Sequence, residues 1–169
     1  MVIDVDKTTG DCAAPGTARA VAPLPLADWE HAMRRAVNSS RYRTPSHALA
    51  SATQAARMAA ALVNLPPRGH EDSCVAALVV SLHHLADLHL RAGDVDGAAE
   101  RLAGAHQQLF AMLACAQRGA ALQQAAWRHT RETHSALLRH VADHGQHPAI
   151  ASTLQAGMLV GTPAGGVMH

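Results

Sequence analysis

The stretch LADLHLRAGDVDGAAERL, residues 85–102, decides the fold. To its left, Val75, Leu78, Val79, Leu82, Leu85, Ala86 and His89 recur at helical spacing and predict a helix from about Glu71 to Ala92. To its right, Ala98, Leu102, Ala105, Leu109, Leu113 and Ala116 form the stripe of a second helix. Between them stands Gly93, suited to the left-handed conformation just past a helix end, with Asp94 or Asp96 as cap of the next helix. So short a connection forces the two helices antiparallel and into contact.

Upstream, Thr44-Pro45 starts a helix, with Thr44 as N-cap and Pro45 at the first helical position. Its face is Leu49, Ala52, Ala56, Ala60 and Val63, and Pro66-Pro67 and Gly69 stop it. An earlier helix begins near Leu26, with Asp28 and Glu30 in its first turn and Arg34 and Arg35 near its end at Asn38-Ser39-Ser40. Downstream, a helix runs from about Ala120 to Asp143. Gly119 marks its start or lies inside a continuation of the preceding helix. Gly145 and Pro148 end it, and residues 148–158 add a short helix. The chain divides into an N-terminal arm over 1–25, one helical domain over 26–158 and a tail over 159–169. The fold class is all-α, an antiparallel bundle or short solenoid of four to six helices.

Composition agrees. Hydrophobic residues make up 49%, mostly alanine and leucine, and aromatics only 2%, whereas strands favour β-branched and aromatic side chains. A net charge of +1 lacks the basic footprint of a nucleic-acid binder. Cys12, Cys74 and Cys115 are an odd, widely spaced set, not a disulfide framework, and fit a reducing compartment. The acidic start Met1-Val2-Ile3-Asp4-Val5-Asp6 is no signal peptide, and no stretch is read as long and apolar enough to span a membrane. A cytoplasmic protein with no nucleic-acid and no membrane partner is the expectation.

From Val79 to Met112 the chain resembles one tetratricopeptide repeat. Leu82 stands at the usual tryptophan position, Leu85-Ala86 at the Leu-Gly pair, His89 at the tyrosine and Gly93 at the turn glycine. Ala98, Leu102 and Ala105 take the packing positions of the second helix. Two large aromatic positions are replaced, and no second good copy follows. The resemblance implies a scaffold that binds a partner helix or peptide in a helical groove; small proteins with such repeats include bacterial export chaperones.

The chemistry of enzymes is missing from the motifs. There is no GxSxG elbow, no phosphate-binding glycine loop and no HExxH. The expected function is therefore non-enzymatic interaction with a protein or peptide, without cofactor. Arg128, Arg131 and Arg139 fall on one face of the fifth helix and are candidates, with His89, to contact the partner. A homodimer through alanine-rich helix faces is a further expectation. The alternative is a histidine-based metal-binding bundle. The 13 histidines include His140 and His144, an i,i+4 pair on one helical face, as candidate metal ligands. A solvated helix end accounts for the same spacing. His106, His129 and His134 are placed to converge if the helices form a bundle, and His84 and Asp87 to pair at i,i+3.

Overall fold

The computed structural model describes residues 25–42 and 44–160. The expected arm and tail lie outside these, apart from Pro25 and the last two residues of the final helix. Among the described residues the chain forms six helices and no strand: α1 Leu26–Tyr42, α2 Pro45–Asn64, α3 Glu71–Arg91, α4 Val95–Ala114, α5 Ala120–His144 and α6 Pro148–Val160. Consecutive helices from α1 to α5 pack against each other. Alternate helices also meet, α1 with α3 and α3 with α5, so these three form one row. α6 returns across α4 and barely touches α5.

The hairpin at residues 85–102 closes as its sequence predicts. Gly93 takes φ +78°, a conformation that costs glycine little. Asp94 caps α4 by accepting from the Gly97 amide at 2.8 Å. The same carboxylate meets His89 Nδ1 at 2.7 Å. A Cβ on Gly97 would collide with the Asp94 carboxylate and come within 2.6 Å of His89 Nδ1, so the tight turn needs that glycine too. The amide of Gly97, with His89 second, holds the exposed Asp94 carboxyl below its usual value.

α3 is the central helix. By length and composition it qualifies as a membrane-crossing segment, with 21 residues and a mean hydropathy of 1.4 over an 18-residue window. That corrects the expectation that no stretch reaches this threshold. The reason is position: α3 packs against α2, α4 and α5, and Cys74, Val75, Ala77, Leu78, Val79, Leu82 and Leu85 are all buried. Small residues let its neighbours close in, with Ala48, Ala52, Ala55 and Ala59 of α2 fully buried. The main apolar cluster joins α1 to α5, and a smaller one ties Ala86, Ala98, Ala99, Leu102 and Leu137 to Ile150 of α6.

Polar bonds set the remaining helices in place. Trp29 of α1 donates its indole N–H to Ser81 Oγ of α3 at 2.9 Å, and Ser81 donates onward to the Ala77 carbonyl. α1 runs past the expected stop, because the Ser40 hydroxyl turns back to the Val37 carbonyl and Ser39 meets Ser51 of α2. Thr44 precedes α2 as expected, but its hydroxyl lies near Ser46 and does not cap an amide. The break at Gly119 is real: Gln123 reaches back to the carbonyls of Leu113 and Cys115, satisfying the end of α4. Arg118 in that turn donates to the Val63 carbonyl and Asn64 Oδ1, tying it to α2. Cys74 is a free buried thiol, whereas Cys115 is disulfide-bonded. Cysteine usage therefore no longer argues for a reducing compartment.

Candidate functional site

α5 is the longest helix, with 25 residues. One side, through Leu122, Ala125, Ala126, Thr130, Thr133 and Leu137, is buried against α3 and α4. The other side faces outward along its length. Trp127, Arg131, His134 and Leu138 recur at spacings of four, three and four, so they share about 60° of the helix surface. All four are exposed. Trp127 keeps 65% of its surface in solvent and Leu138 keeps 50%, which makes them two of the four large exposed apolar side chains among the described residues.

The three candidate arginines do not behave alike. Arg128 is committed to α3, donating Nε and Nη2 to Asp72 Oδ1 at 3.1 and 2.8 Å. Arg131 and Arg139 are exposed and make no ion pair among the described residues. His89 is not on this face at all. It lies in the last turn of α3, engaged by Asp94, and its place on the packing stripe serves the hairpin.

Between α3 and α5 runs a chain of imidazoles and carboxylates. Glu132 lies 3.9 Å from His83 Nδ1 and 3.5 Å from His129 Nδ1, and His129 Nε2 lies 3.6 Å from Asp72. These contacts are too long for hydrogen bonds and become ion pairs only when the imidazole is protonated. Burial lowers the affinity of His83 for a proton, against the pull of Glu132 and Asp87. His84 is likewise lowered by burial; Asp87 opposes that through its charge, and no hydrogen bond joins the expected pair.

On the opposite flank, His106 of α4 is buried, with Nδ1 2.6 Å from Thr133 Oγ1 of α5. The Thr133 hydroxyl also meets the Thr130 carbonyl at 3.1 Å. One hydrogen bond joins the ring to Thr133, and the tautomer of the imidazole sets which of the two donates. The ring tilts against His134 at 5.8 Å between centroids. The expected convergence is thus half met: His106 and His134 come together, while His129 faces α3. Nothing in residue spacing distinguished these two flanks, because the crossing of α5 over α3 and α4 decides them.

His140 and His144 do stack, with ring centroids 4.9 Å apart. His140 is only 4% exposed, and neither of its ring nitrogens has a hydrogen-bond partner. Burial lowers its proton affinity, and His144 and His147 reinforce this. Among the described residues no three His, Cys, Asp or Glu side chains form a group that could hold a metal. The pair is a ring contact at the end of α5, with its inner nitrogens closed to solvent. A buried donor or acceptor without a partner costs about 1–3 kcal/mol. His140→Leu is therefore expected to raise stability by about 1–2 kcal/mol at neutral pH, read by urea unfolding; a loss of stability would show that the imidazole has a partner.

A cleft of about 190 Å³ lies between α2 and α4, lined by Ala60, Val63, Leu78, Met112 and Arg118 among others. It is below the ~300 Å³ usual for a small-molecule site, whereas two depressions along α1, about 390 Å³ beside Trp29 and Met33 and about 400 Å³ beside Ser39 and His47, exceed that volume. The outward face of α5 is the stronger candidate.

The profile of one family, described as a protein of unknown function and designated DUF2753, matches residues 27–162. The chain belongs to this family. The match runs from the second residue of α1 past the end of α6, so the DUF2753 unit is the whole six-helix bundle. No curated protein and no solved structure matches the chain. Membership in DUF2753 brings no activity with it, and the functional reading rests on the surface.

Proposed function

We propose that this protein is a non-enzymatic interaction module, a tetratricopeptide-like helical scaffold that holds a partner helix or extended peptide on the outward face of α5. The observation that carries the reading is the exposed stripe itself. Trp127 and Leu138 sit on one line of one helix, with Arg131, which makes no ion pair among the described residues, between them and Arg139 beside them. Tryptophan and arginine are favoured anchors in protein interfaces. The row α1–α3–α5, backed by α2 and α4, supports the tetratricopeptide likeness, because helices in such solenoids stack on their neighbours in this alternating way.

The test is affinity capture from the source organism by the untagged-equivalent full chain and by Trp127→Ala/Leu138→Ala, with metal content assayed in parallel. Truncating an anchor typically costs about 2 kcal/mol, so a specific partner is expected to bind the double variant at least about thirtyfold more weakly. Circular dichroism should be unchanged, since both side chains are outside the core. A partner retained undiminished would move the site elsewhere. Stoichiometric metal without a partner would replace the reading by the histidine-based alternative.

A further inference from the structure

We propose that the seam between α1 and α2 holds a phosphate group, in a depression lined by Arg35, Asn38 and Ser39 of α1 and His47 and Ser51 of α2. The inference is independent of the interaction face on α5.

The sequence loads this hairpin with one sign of charge. No aspartate or glutamate stands between Glu30 and Glu71, whereas Arg34, Arg35, Arg41, Arg43, Arg57 and Arg68 all do. The whole chain carries only +1, so the rest of it is net acidic. Such asymmetry draws anions to one part of a surface. Helical spacing then selects which groups meet. Arg35 and Ser39 are four apart on α1, with Asn38 beside them, and His47 and Ser51 are four apart on α2. Buried Ala36 and Ala48 let the two helices close beneath them. Ser39 Oγ and Ser51 Oγ come within 3.4 Å across the seam, marking where the two faces meet. The depression they border has a volume of about 400 Å³.

The groups that line it suit one chemistry. Each of these side chains can donate a hydrogen bond, and none carries negative charge. The Arg35 guanidinium offers a planar fork that matches two phosphate oxygens. It is exposed and makes no ion pair among the described residues. The two serine hydroxyls share one contact, so one of their protons remains for a ligand oxygen. Ser40, the next residue, differs, because its hydroxyl is spent on the Val37 carbonyl. The N–H groups of His47 and Asn38 complete the donor set. α1 ends and α2 begins beside the depression, so their dipoles oppose each other there and the side chains decide what binds. The volume exceeds that of a phosphate and leaves room for the organic part of a small phosphomonoester.

The experiment titrates the full chain with inorganic phosphate and, separately, with glycerol 3-phosphate, at fixed pH and ionic strength. The ring C–H signals of His47, assigned with His47→Gln, are followed by NMR. Because the donors are exposed to water, saturable binding on the order of 1 mM is expected. Arg35→Ala should weaken it by about tenfold or more, and Arg35→Lys by less, since lysine keeps the charge without the fork. Arg34→Ala, outside this depression, should change it by under about twofold. Circular dichroism should be unchanged throughout, since both arginines are exposed. Tighter binding of the ester identifies a phosphomonoester as the ligand, and equal binding identifies the free anion; either supports the site. No saturation by about 10 mM of either probe overturns the proposal. Equal losses for Arg34→Ala and Arg35→Ala describe a diffuse basic surface and also overturn it. So does a single-stranded oligonucleotide that shifts His47 at lower concentration than either probe, which assigns the hairpin to nucleic acid.

Discussion

Leu78→Ala is expected to lower the unfolding free energy by about 3–4 kcal/mol, the middle of the range for a buried leucine. Leu78 is 1% exposed in the middle of α3, the helix on which α2, α4 and α5 all pack. It also lines the small cleft beside Val63 and Met112, where space is already unfilled. Removing three carbons there enlarges a void that the surrounding helices are tied against closing. Arg118 bonds the α4–α5 turn to the end of α2, and Trp29 bonds α1 to Ser81 on α3. The cost should therefore include the cavity as well as the lost transfer energy. Urea unfolding followed by circular dichroism measures it, with Leu78→Met as the control, since a volume-conserving change costs under about 1.5 kcal/mol. A loss below ~1 kcal/mol for the alanine variant would mean that α3 is not the centre of the core.

The helices themselves were legible because each boundary had a local cause. Pro45 opens α2, Gly93 and Asp94 make the α3–α4 turn, and Gly145, at φ +88°, ends α5 within a residue of the expected place. The end of α1 was not legible in the same way. Asn38-Ser39-Ser40 reads as a stop, yet serine hydroxyls can return to the helix carbonyls or reach a neighbour, and here they do both. The apolar richness of α3 fits a core or a membrane span alike, and the packing of α2, α4 and α5 around it is not legible in its own sequence.

The candidate site was legible only in part, and the reason is geometrical. A helical wheel places Arg128, Arg131 and Arg139 together, but it cannot show that Asp72, far away in sequence on α3, holds the first of them. It places His89 among apolar residues, where the turn draws it to Asp94. Trp127 and Leu138 were the missed residues. A signal was there in their eleven-residue spacing with Arg131 and His134 between, but large apolar residues on a helix are read first as core. Their exposure follows from α6, which crosses α4 and leaves that side of α5 open.

Acidification from pH 7 to pH 4 is expected to cost the fold about 3 kcal/mol through His106 alone. Its ring is 3% exposed, and burial pushes its pKa from 6.5 down to about 4, with the neighbouring His134 adding to the effect. The folded state therefore binds this proton less readily than the unfolded chain. Stability is complete above about pH 6.5, falls as pH drops toward 4, and loses nothing further from this group below that; each unit of difference is worth ~1.4 kcal/mol. His83, His84 and His140 are lowered in the same direction, so the whole protein should lose more than this. The loss should be uneven. His106 reaches Thr133 across the α4–α5 boundary with no carboxylate to oppose its burial, whereas on the α3 side the burial of His83 is opposed by the charges of Glu132 and Asp87. Acid thus loosens α5 from α4 before it frees α5 from α3. His106→Leu should make the acid limb of the stability curve shallower by about 3 kcal/mol, read by urea unfolding at a series of pH values. Amide exchange near pH 5 should show protection lost first along the α4 face of α5. Identical acid limbs for the variant and the wild type would place the His106 ring in contact with water, and with it the α4–α5 boundary.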